Sequence, residues 1–177
     1  MDKRIALLAL LICLTAVGPT MRAQVPGLEK LDFFIGEWAL ETMDIQPDGS
    51  YAEGKARSEV KYILDGHAVQ DDFLVLGDDD TVLFRGTSIR SYNPRSEKFQ
   101  IVWIMPGYKG LTDIIAEWKD GKLISTGKGY DVQGEFLERF EYYDITEVSY
   151  SFRMDRSYDN GATWIKNFAL INAKRIK

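Results

Sequence analysis

The feature that most constrains this chain is a succession of short segments with β periodicity, each ended by turn-forming residues. From Glu37 onward, apolar side chains alternate or run together over segments of about 8–12 residues. Asp65-Gly66, Asn93-Pro94 and Asp120-Gly121 are typical of the turns that separate them. Asn, Asp and Gly accept a positive φ, and Pro fixes the first corner of a turn. The pattern predicts an all-β domain.

Nine turns divide this part of the chain into ten predicted strands, with no long helical period between them. Parallel βαβ units are therefore excluded, and neighbouring strands should pair as antiparallel hairpins. An open sheet would leave two long edges, whereas closure removes them, so we predict a meandering barrel in preference to a sandwich. The strands are predicted near residues 37–46, 51–64, 67–76, 82–92, 97–105, 111–118, 122–130, 135–143, 148–156 and 163–174.

The N-terminus has the layout of a secretory signal peptide. Lys3 and Arg4 precede an apolar run from Ile5 to Val17, and a less apolar stretch ends at Ala23. The run is too short to span a bilayer comfortably. We predict cleavage after Ala23 and export to the periplasm or the medium, with no stable membrane span after cleavage.

This cleavage divides the chain into a signal peptide, residues 1–23, and one barrel domain, residues 24–177. Pro26 to Ile35 has the apolar spacing of a short helix, which we expect to precede the barrel. The sole cysteine, Cys13, lies in the signal segment. Disulfides, thiol nucleophiles and thiolate metal sites are therefore excluded from the mature domain.

The charge of the mature domain argues against some classes of partner. Loss of residues 1–23 removes three basic residues and one acidic residue, which takes the net charge from −5 to about −7. Nucleic acid and anionic membrane surfaces repel a domain this acidic whose cations are scattered. We expect neither as a partner.

Gly36-Glu37-Trp38 follows the predicted helix and opens the first strand. This tripeptide resembles the Gly-x-Trp signature of lipocalins and related calycin barrels. The resemblance implies that Trp38 fills the closed end of the barrel, and that a basic side chain of the last strand stacks on its ring. Arg175 is the first candidate and Lys174 the second. Such a cation–π contact contributes about 0.5–2 kcal/mol and would be structural.

A wider resemblance covers most of the mature chain. It rests on three segments, Leu31 to Trp38, Ile63 to His67 and Ser91 to Pro94. They are similar to an exported bacterial family of lipocalin-like proteins described as a domain of unknown function. The resemblance implies a lipocalin-like barrel and brings no biochemical activity with it.

Residues 157–164 match the Ser-x-Asp-x-Gly-x-Thr-Trp box of sialidase-type β-propellers. A propeller needs several such blades, and one box in a chain of this length excludes that fold. We interpret the box as a hairpin between the last two strands. In it Asp159 accepts from backbone amides, Gly161 takes a left-handed corner and Trp164 packs across the turn.

Other polar residues give no catalytic or metal site. His67, the sole histidine, follows a tight turn, where we expect a structural hydrogen bond at the barrel rim. The run Asp78 to Asp80 lacks the ligand spacing of a calcium loop and is predicted to be a solvated hairpin tip. Asp71 and Asp72 point to opposite faces of a strand. We expect no metal and no cofactor.

Alternation places two charges on the inward faces of predicted strands. Arg90 shares a face with Phe84 and Tyr92, and Glu138 shares one with Phe136 and Phe140. A buried charge needs a partner or a ligand. Either Arg90 and Glu138 form an ion pair or move to the rim, or Arg90 anchors a ligand carboxylate as a bidentate fork.

These features favour a non-enzymatic protein that binds a small, largely apolar or carboxylate-bearing ligand inside the barrel. Whether the barrel is hollow or filled by its own side chains stays open. Two alternatives also stay open: an enzyme that uses inward Glu138, Tyr92 or Arg90, and an interaction domain for an envelope partner. The candidate ligand-binding residues are Arg90, Tyr92, Phe99, Trp103, Glu138, Phe140, Phe152 and Met154.

Overall fold

A computed structural model describes residues 25–176. Its strands are β1 (Gly36–Ile45), β2 (Tyr51–Ile63), β3 (Ala68–Leu76), β4 (Val82–Asn93), β5 (Lys98–Ile104), β6 (Thr112–Lys119), β7 (Lys122–Tyr130), β8 (Glu135–Tyr143), β9 (Ser149–Ser157) and β10 (Ile165–Arg175). They follow one another around a closed antiparallel barrel, in which β1 pairs with both β2 and β10. The predicted antiparallel meander barrel of ten strands is confirmed, with every strand boundary within two residues of its predicted place.

The turn residues explain why the boundaries were predictable. Between β6 and β7, Asp120 has a φ of 50° and Gly121 a φ of 74°. Two successive positive φ values form the two-residue hairpin turn that matches the twist of the flanking strands. Lys119 and Lys122 then pair directly across it.

The pairing of β1 with β10 closes the barrel. Trp38 lies opposite Arg175, and Asp44 lies opposite Ala169. The ladder continues beyond β10, since the Ile176 amide donates to the Glu37 carbonyl oxygen at 2.7 Å. Both of these strands are therefore paired on both sides, and no long edge is left for association with another chain.

One end of the barrel is covered by a 3-10 helix, Leu28–Phe34, and we call it the plugged end. Leu28, Leu31 and Phe34 are buried, and their spacing of three matches the three residues per turn of a 3-10 helix. They pack in one core cluster with Trp38. Where the sequence predicts a short helix, the chain forms these two turns of 3-10 helix instead of an α-helix, and residues 25–176 contain no α-helix.

The opposite end carries the hairpin connections β1–β2, β3–β4, β5–β6, β7–β8 and β9–β10, and we call it the open end. Within the described range, no helix has the length and apolar character needed to cross a membrane. The predicted signal peptide, residues 1–23, lies outside the described residues.

Candidate ligand cavity

The barrel encloses a cavity of about 430 Å³, within the ~300–1,000 Å³ range of small-molecule sites. Its lining is mainly apolar. Asp44 belongs to the lining and is exposed, so the cavity reaches solvent at the open end. The aromatic side chains that line it are Phe73, Phe84, Trp103, Tyr108, Phe140, Tyr142, Phe152 and Phe168. The aliphatic and methionine side chains are Val75, Ile101, Met105, Ile114, Met154, Ala169, Leu170 and Ile171.

Strand alternation directs these side chains inward, and a glycine makes room for the largest of them. Ile101, Trp103 and Met105 are successive inward positions of one chain segment. A Cβ atom at Gly86 would lie 2.5 Å from the Trp103 ring. Glycine at this position therefore lets the indole lie against β4.

The first polar cluster of the lining lies around Arg90, near the plugged end. Its Nη2 atom is 3.3 Å from the Asp71 carboxylate and donates to the Tyr142 hydroxyl at 3.3 Å. Its Nη1 atom donates to the Ser88 hydroxyl at 2.7 Å. The guanidinium carbon lies 4.4 Å from the centre of the Phe34 ring, which belongs to the 3-10 helix. Arg90 thus ties β3, β4, β8 and the helix together.

The second polar cluster lies around Arg156, toward the open end. Its Nη1 atom is 3.2 Å from Asp131, and its Nη2 atom is 3.2 Å from Glu138 and donates to the Tyr108 hydroxyl at 2.7 Å. Tyr158 donates to Asp131 at 2.8 Å. The guanidinium also contacts two rings, with its carbon 4.0 Å from the centre of Phe136 and 4.3 Å from that of Phe168.

Burial shifts the protonation equilibria of both clusters. It raises the pKa of the Glu138 carboxyl above its usual value, and the charge of Arg156 offsets part of this rise. Burial alone would lower the pKa of the Arg156 guanidinium, but Tyr108 and Glu138 raise it overall. In the same way Tyr142 and Asp71 outweigh burial at Arg90 and raise its pKa. Both guanidinium groups therefore stay charged.

Asp44 differs from the other acidic residues of the lining. Among residues 25–176, no hydrogen bond or ion pair involves its carboxylate. Partial desolvation raises its pKa above the usual value, although the positive charge of Arg156 acts in the opposite direction. The cavity thus presents an unpaired carboxylate where it meets solvent.

Six of the predicted ligand-binding residues line the cavity: Arg90, Trp103, Glu138, Phe140, Phe152 and Met154. Tyr92 and Phe99 do not. They pack on each other at 4.9 Å between ring centres, and the Tyr92 ring lies against Gly27 beside the 3-10 helix. Both side chains point into the barrel, but they lie at its plugged end, where the 3-10 helix fills the interior.

Arg90 and Glu138 point inward as predicted, but they do not form the ion pair that we considered. Arg90 pairs with Asp71 and Glu138 pairs with Arg156. Nor do the two charges move to the rim, since Arg90 is 4% and Glu138 5% exposed. The physical reason is the register between neighbouring strands. Asp71 lies opposite Ser88, which is two residues from Arg90 on the same face of its strand. Glu138 lies directly opposite Arg156.

Several polar residues of the site were not identified from the sequence, among them Asp44, Asp71, Tyr108 and Arg156. Arg156 continues the inward series of Tyr150, Phe152 and Met154, so alternation carried one position further would have found it. The same alternation along β3 would have placed Asp71 on the inward face. Tyr108 lies in the β5–β6 connection, where no periodicity exists to place it.

The structural pair Trp38 and Arg175 has the expected geometry. The Arg175 guanidinium carbon lies 4.2 Å from the centre of the Trp38 ring, and the ring is fully buried. The same guanidinium donates to the carbonyl oxygens of Phe33 at 2.7 Å and Glu147 at 2.6 Å, and also to that of Ile35. Arg175 therefore connects the helix to the last strand and is not among the residues that line the cavity.

The box at residues 157–164 is the predicted turn. Asp159 accepts from the Thr163 amide at 2.9 Å and from its hydroxyl at 2.6 Å, which lowers the pKa of Asp159 to about 2. Gly161 has a φ of 87°, and Trp164 donates to its carbonyl oxygen at 3.1 Å. Each of these contacts lies within the hairpin.

The remaining polar candidates lie away from the cavity. His67 is exposed, and its Nδ1 atom lies 2.9 Å from the Leu64 carbonyl oxygen. At the β3–β4 tip, Asp79 accepts from the Thr81 hydroxyl at 2.6 Å. The part of the chain that the structure describes holds no group of three or more His, Cys, Asp or Glu side chains suited to a metal ion.

Comparison with known proteins supports the fold. No family model matches the sequence, and no curated protein matches it. The solved structures include similar barrels. Rv2717c from M. tuberculosis is 12% identical with a TM-score of 0.64, over 88% of this chain and all of that one. The S-type phycobiliprotein lyase CPES from Guillardia theta is 9% identical with a TM-score of 0.59, over 84% of this chain and 92% of that one. At such identities the likeness shows a shared lipocalin-like barrel fold.

Proposed function

We propose that this protein binds a small, largely apolar molecule inside the barrel and carries out no chemistry on it. The observation that carries the proposal is the 430 Å³ cavity, closed by the helix at one end and reaching solvent at the other. Its walls are mainly aromatic and aliphatic, and each buried charge already has a partner of the chain. Burying an apolar ligand there gains about 25 cal/mol per Å² of apolar surface removed from water.

The open end also suits the entry of an apolar molecule. Leu83, Leu111 and Val132 are each more than half exposed near the hairpin connections of this end. Exposed apolar side chains at the end of the barrel where the cavity reaches solvent favour a binding or docking region there.

The test combines native mass spectrometry with a cavity-filling variant. We expect the purified protein to carry a small molecule that organic extraction removes. Decanol should then bind the emptied protein in calorimetric titration, and Ala169→Phe should weaken this binding at least about tenfold, because Ala169 lines the cavity. Ala39→Phe is the matched control, since Ala39 is exposed on the outer face of β1.

Two results would overturn the proposal: decanol that does not bind, or decanol that binds Ala169→Phe as tightly as the parent protein. Circular dichroism would establish that each variant folds. If Ala169→Phe does not fold, the smaller Ala169→Leu should give a graded loss of affinity.

We also propose that the protein is exported and loses residues 1–23. The support is the charged start, the apolar run and the small residue Ala23 at the predicted cleavage site. The intact mass of the protein recovered outside the cytoplasm should correspond to a chain that begins at Gln24. A chain that keeps residues 1–23 and stays in the cytoplasm would contradict this.

A further inference from the structure

We propose that the ligand of this cavity is an organic cation, an amine or quaternary ammonium group on an apolar body, and that Asp44 binds its charged end. This inference rests on the proposed function, because it names the chemical class of the molecule that the cavity holds. It replaces the carboxylate-bearing ligand that the predicted inward position of Arg90 indicated.

Neither arginine of the cavity has positive charge to spare for a ligand carboxylate. Arg90 is neutralised by Asp71 at 3.3 Å, and Arg156 is held by both Asp131 and Glu138 at 3.2 Å. A ligand carboxylate would have to displace one of these partners and leave it buried without its cation. Breaking a buried pair in this way is strongly unfavourable.

The charge balance of the lining is negative. Asp44, Asp71 and Glu138 face two guanidinium groups, and Asp131 adds a further carboxylate behind Arg156. Asp44 is the lining carboxylate that no side chain of residues 25–176 pairs with. It lies at the open end, where the polar head of a ligand would remain close to water while the apolar body fills the interior.

Aromatic rings around the cavity offer further contacts for a cation. The faces of aromatic rings attract cations, and quaternary ammonium groups are bound in this way. The protein already uses these rings for its own guanidinium, since Arg156 lies 4.3 Å from the centre of Phe168, a ring of the lining. The net charge of the whole chain, −5, also favours the approach of cations over anions.

The test compares three probes with the same apolar body: decyltrimethylammonium, decanol and decanoate, all below the concentration at which they form micelles. We expect decyltrimethylammonium to bind about fivefold or more tightly than decanol, and decanoate to bind most weakly. Asp44→Asn should weaken decyltrimethylammonium about three- to fivefold and leave decanol unchanged. Glu41→Gln is the control, because it removes a negative charge from the outer face of the same strand.

The three probes separate this inference from the function on which it rests. If decanol binds and Ala169→Phe prevents it, the cavity is a binding site whatever the charge of its ligand. Decanoate binding as tightly as the cation, or an unchanged affinity of Asp44→Asn for the cation, would then overturn the organic-cation inference alone. If none of the three probes binds, both proposals fail.

Discussion

Arg90 and Asp71 illustrate how the barrel tolerates charges in its interior. Both are about 95% buried, and each has further polar contacts besides the ion pair: Ser88 and Tyr142 for the arginine, and Ser58 for the aspartate. Two desolvated charges stay in the interior when their attraction and additional hydrogen bonds offset the loss of water. Removing one partner leaves the other charge buried without the attraction that offset its loss of water.

We therefore predict that Asp71→Asn lowers the free energy of unfolding by about 3–5 kcal/mol in urea titrations, because it leaves Arg90 buried and uncompensated. Asp72→Asn is the control. Asp72 is the next residue on the strand, points outward and pairs with the exposed Lys61, so its loss should cost about 1 kcal/mol or less. Similar losses for the two variants would contradict this account of the cluster.

Arg175 gives a second prediction for a single residue. Arg175→Ala removes the contact with Trp38 and the hydrogen bonds to three carbonyl oxygens, and should destabilise the protein by about 2–4 kcal/mol. Lys174→Ala, at the exposed neighbouring position, should change stability by about 0.5 kcal/mol or less. A larger effect at Lys174 would reverse the assignment of the two basic residues.

For residues on regular strands, the sequence predicts which face of the strand a side chain occupies, but not which residue it pairs with. Alternation fixes the face of Arg90 and Glu138, because successive side chains of a strand point to opposite sides. The partner of each depends on the register between neighbouring strands, which local sequence does not determine. Sequence could thus place two buried charges but not the pairs Arg90–Asp71 and Arg156–Glu138.

The β9–β10 hairpin shows how an element of this barrel is specified locally. Within the turn Asp159 accepts from the Thr163 amide and Trp164 donates to the Gly161 carbonyl oxygen, so the local sequence pattern was sufficient to predict it. Beyond the turn, β10 has a bulge between Ile165 and Ala169, where Asn167 takes a φ of 50°. The Asn167 amide donates to Asp155 at 3.0 Å, a contact across strands that no local pattern indicates.

The hairpin should loosen in acid. The folded pKa of Asp159 is about 2, below the ordinary aspartate value of about 3.9, so its carboxylate stabilises the turn above that ordinary value. This stabilisation is lost as the pH falls from about 4 through about 2. Hydrogen exchange of the Thr163 amide, corrected for its intrinsic pH dependence, should show protection that declines across this window. Asp159→Ala should lack that protection at neutral pH, and equal protection in both proteins would contradict the prediction.

At the scale of the whole molecule, the ten strands and their closure follow from turn spacing and the cost of open edges. The cavity does not follow from either. A barrel of this size can be filled by its own side chains, and the packing of Phe73, Trp103 and Phe152 around an unfilled space depends on positions far apart in sequence. The helix that closes one end follows from a local apolar pattern. How deeply it lies inside the barrel does not, and this depth is what keeps Tyr92 out of the cavity.

The central claim is that an apolar molecule binds inside this barrel. It is tested most directly by nuclear Overhauser contacts between bound decanol and the labelled isoleucine methyl groups. The account predicts contacts to Ile101, Ile114 and Ile171, which line the cavity, and none to the outward-facing Ile89 and Ile115. Contacts to Ile89 and Ile115 without any to the inward set would contradict it.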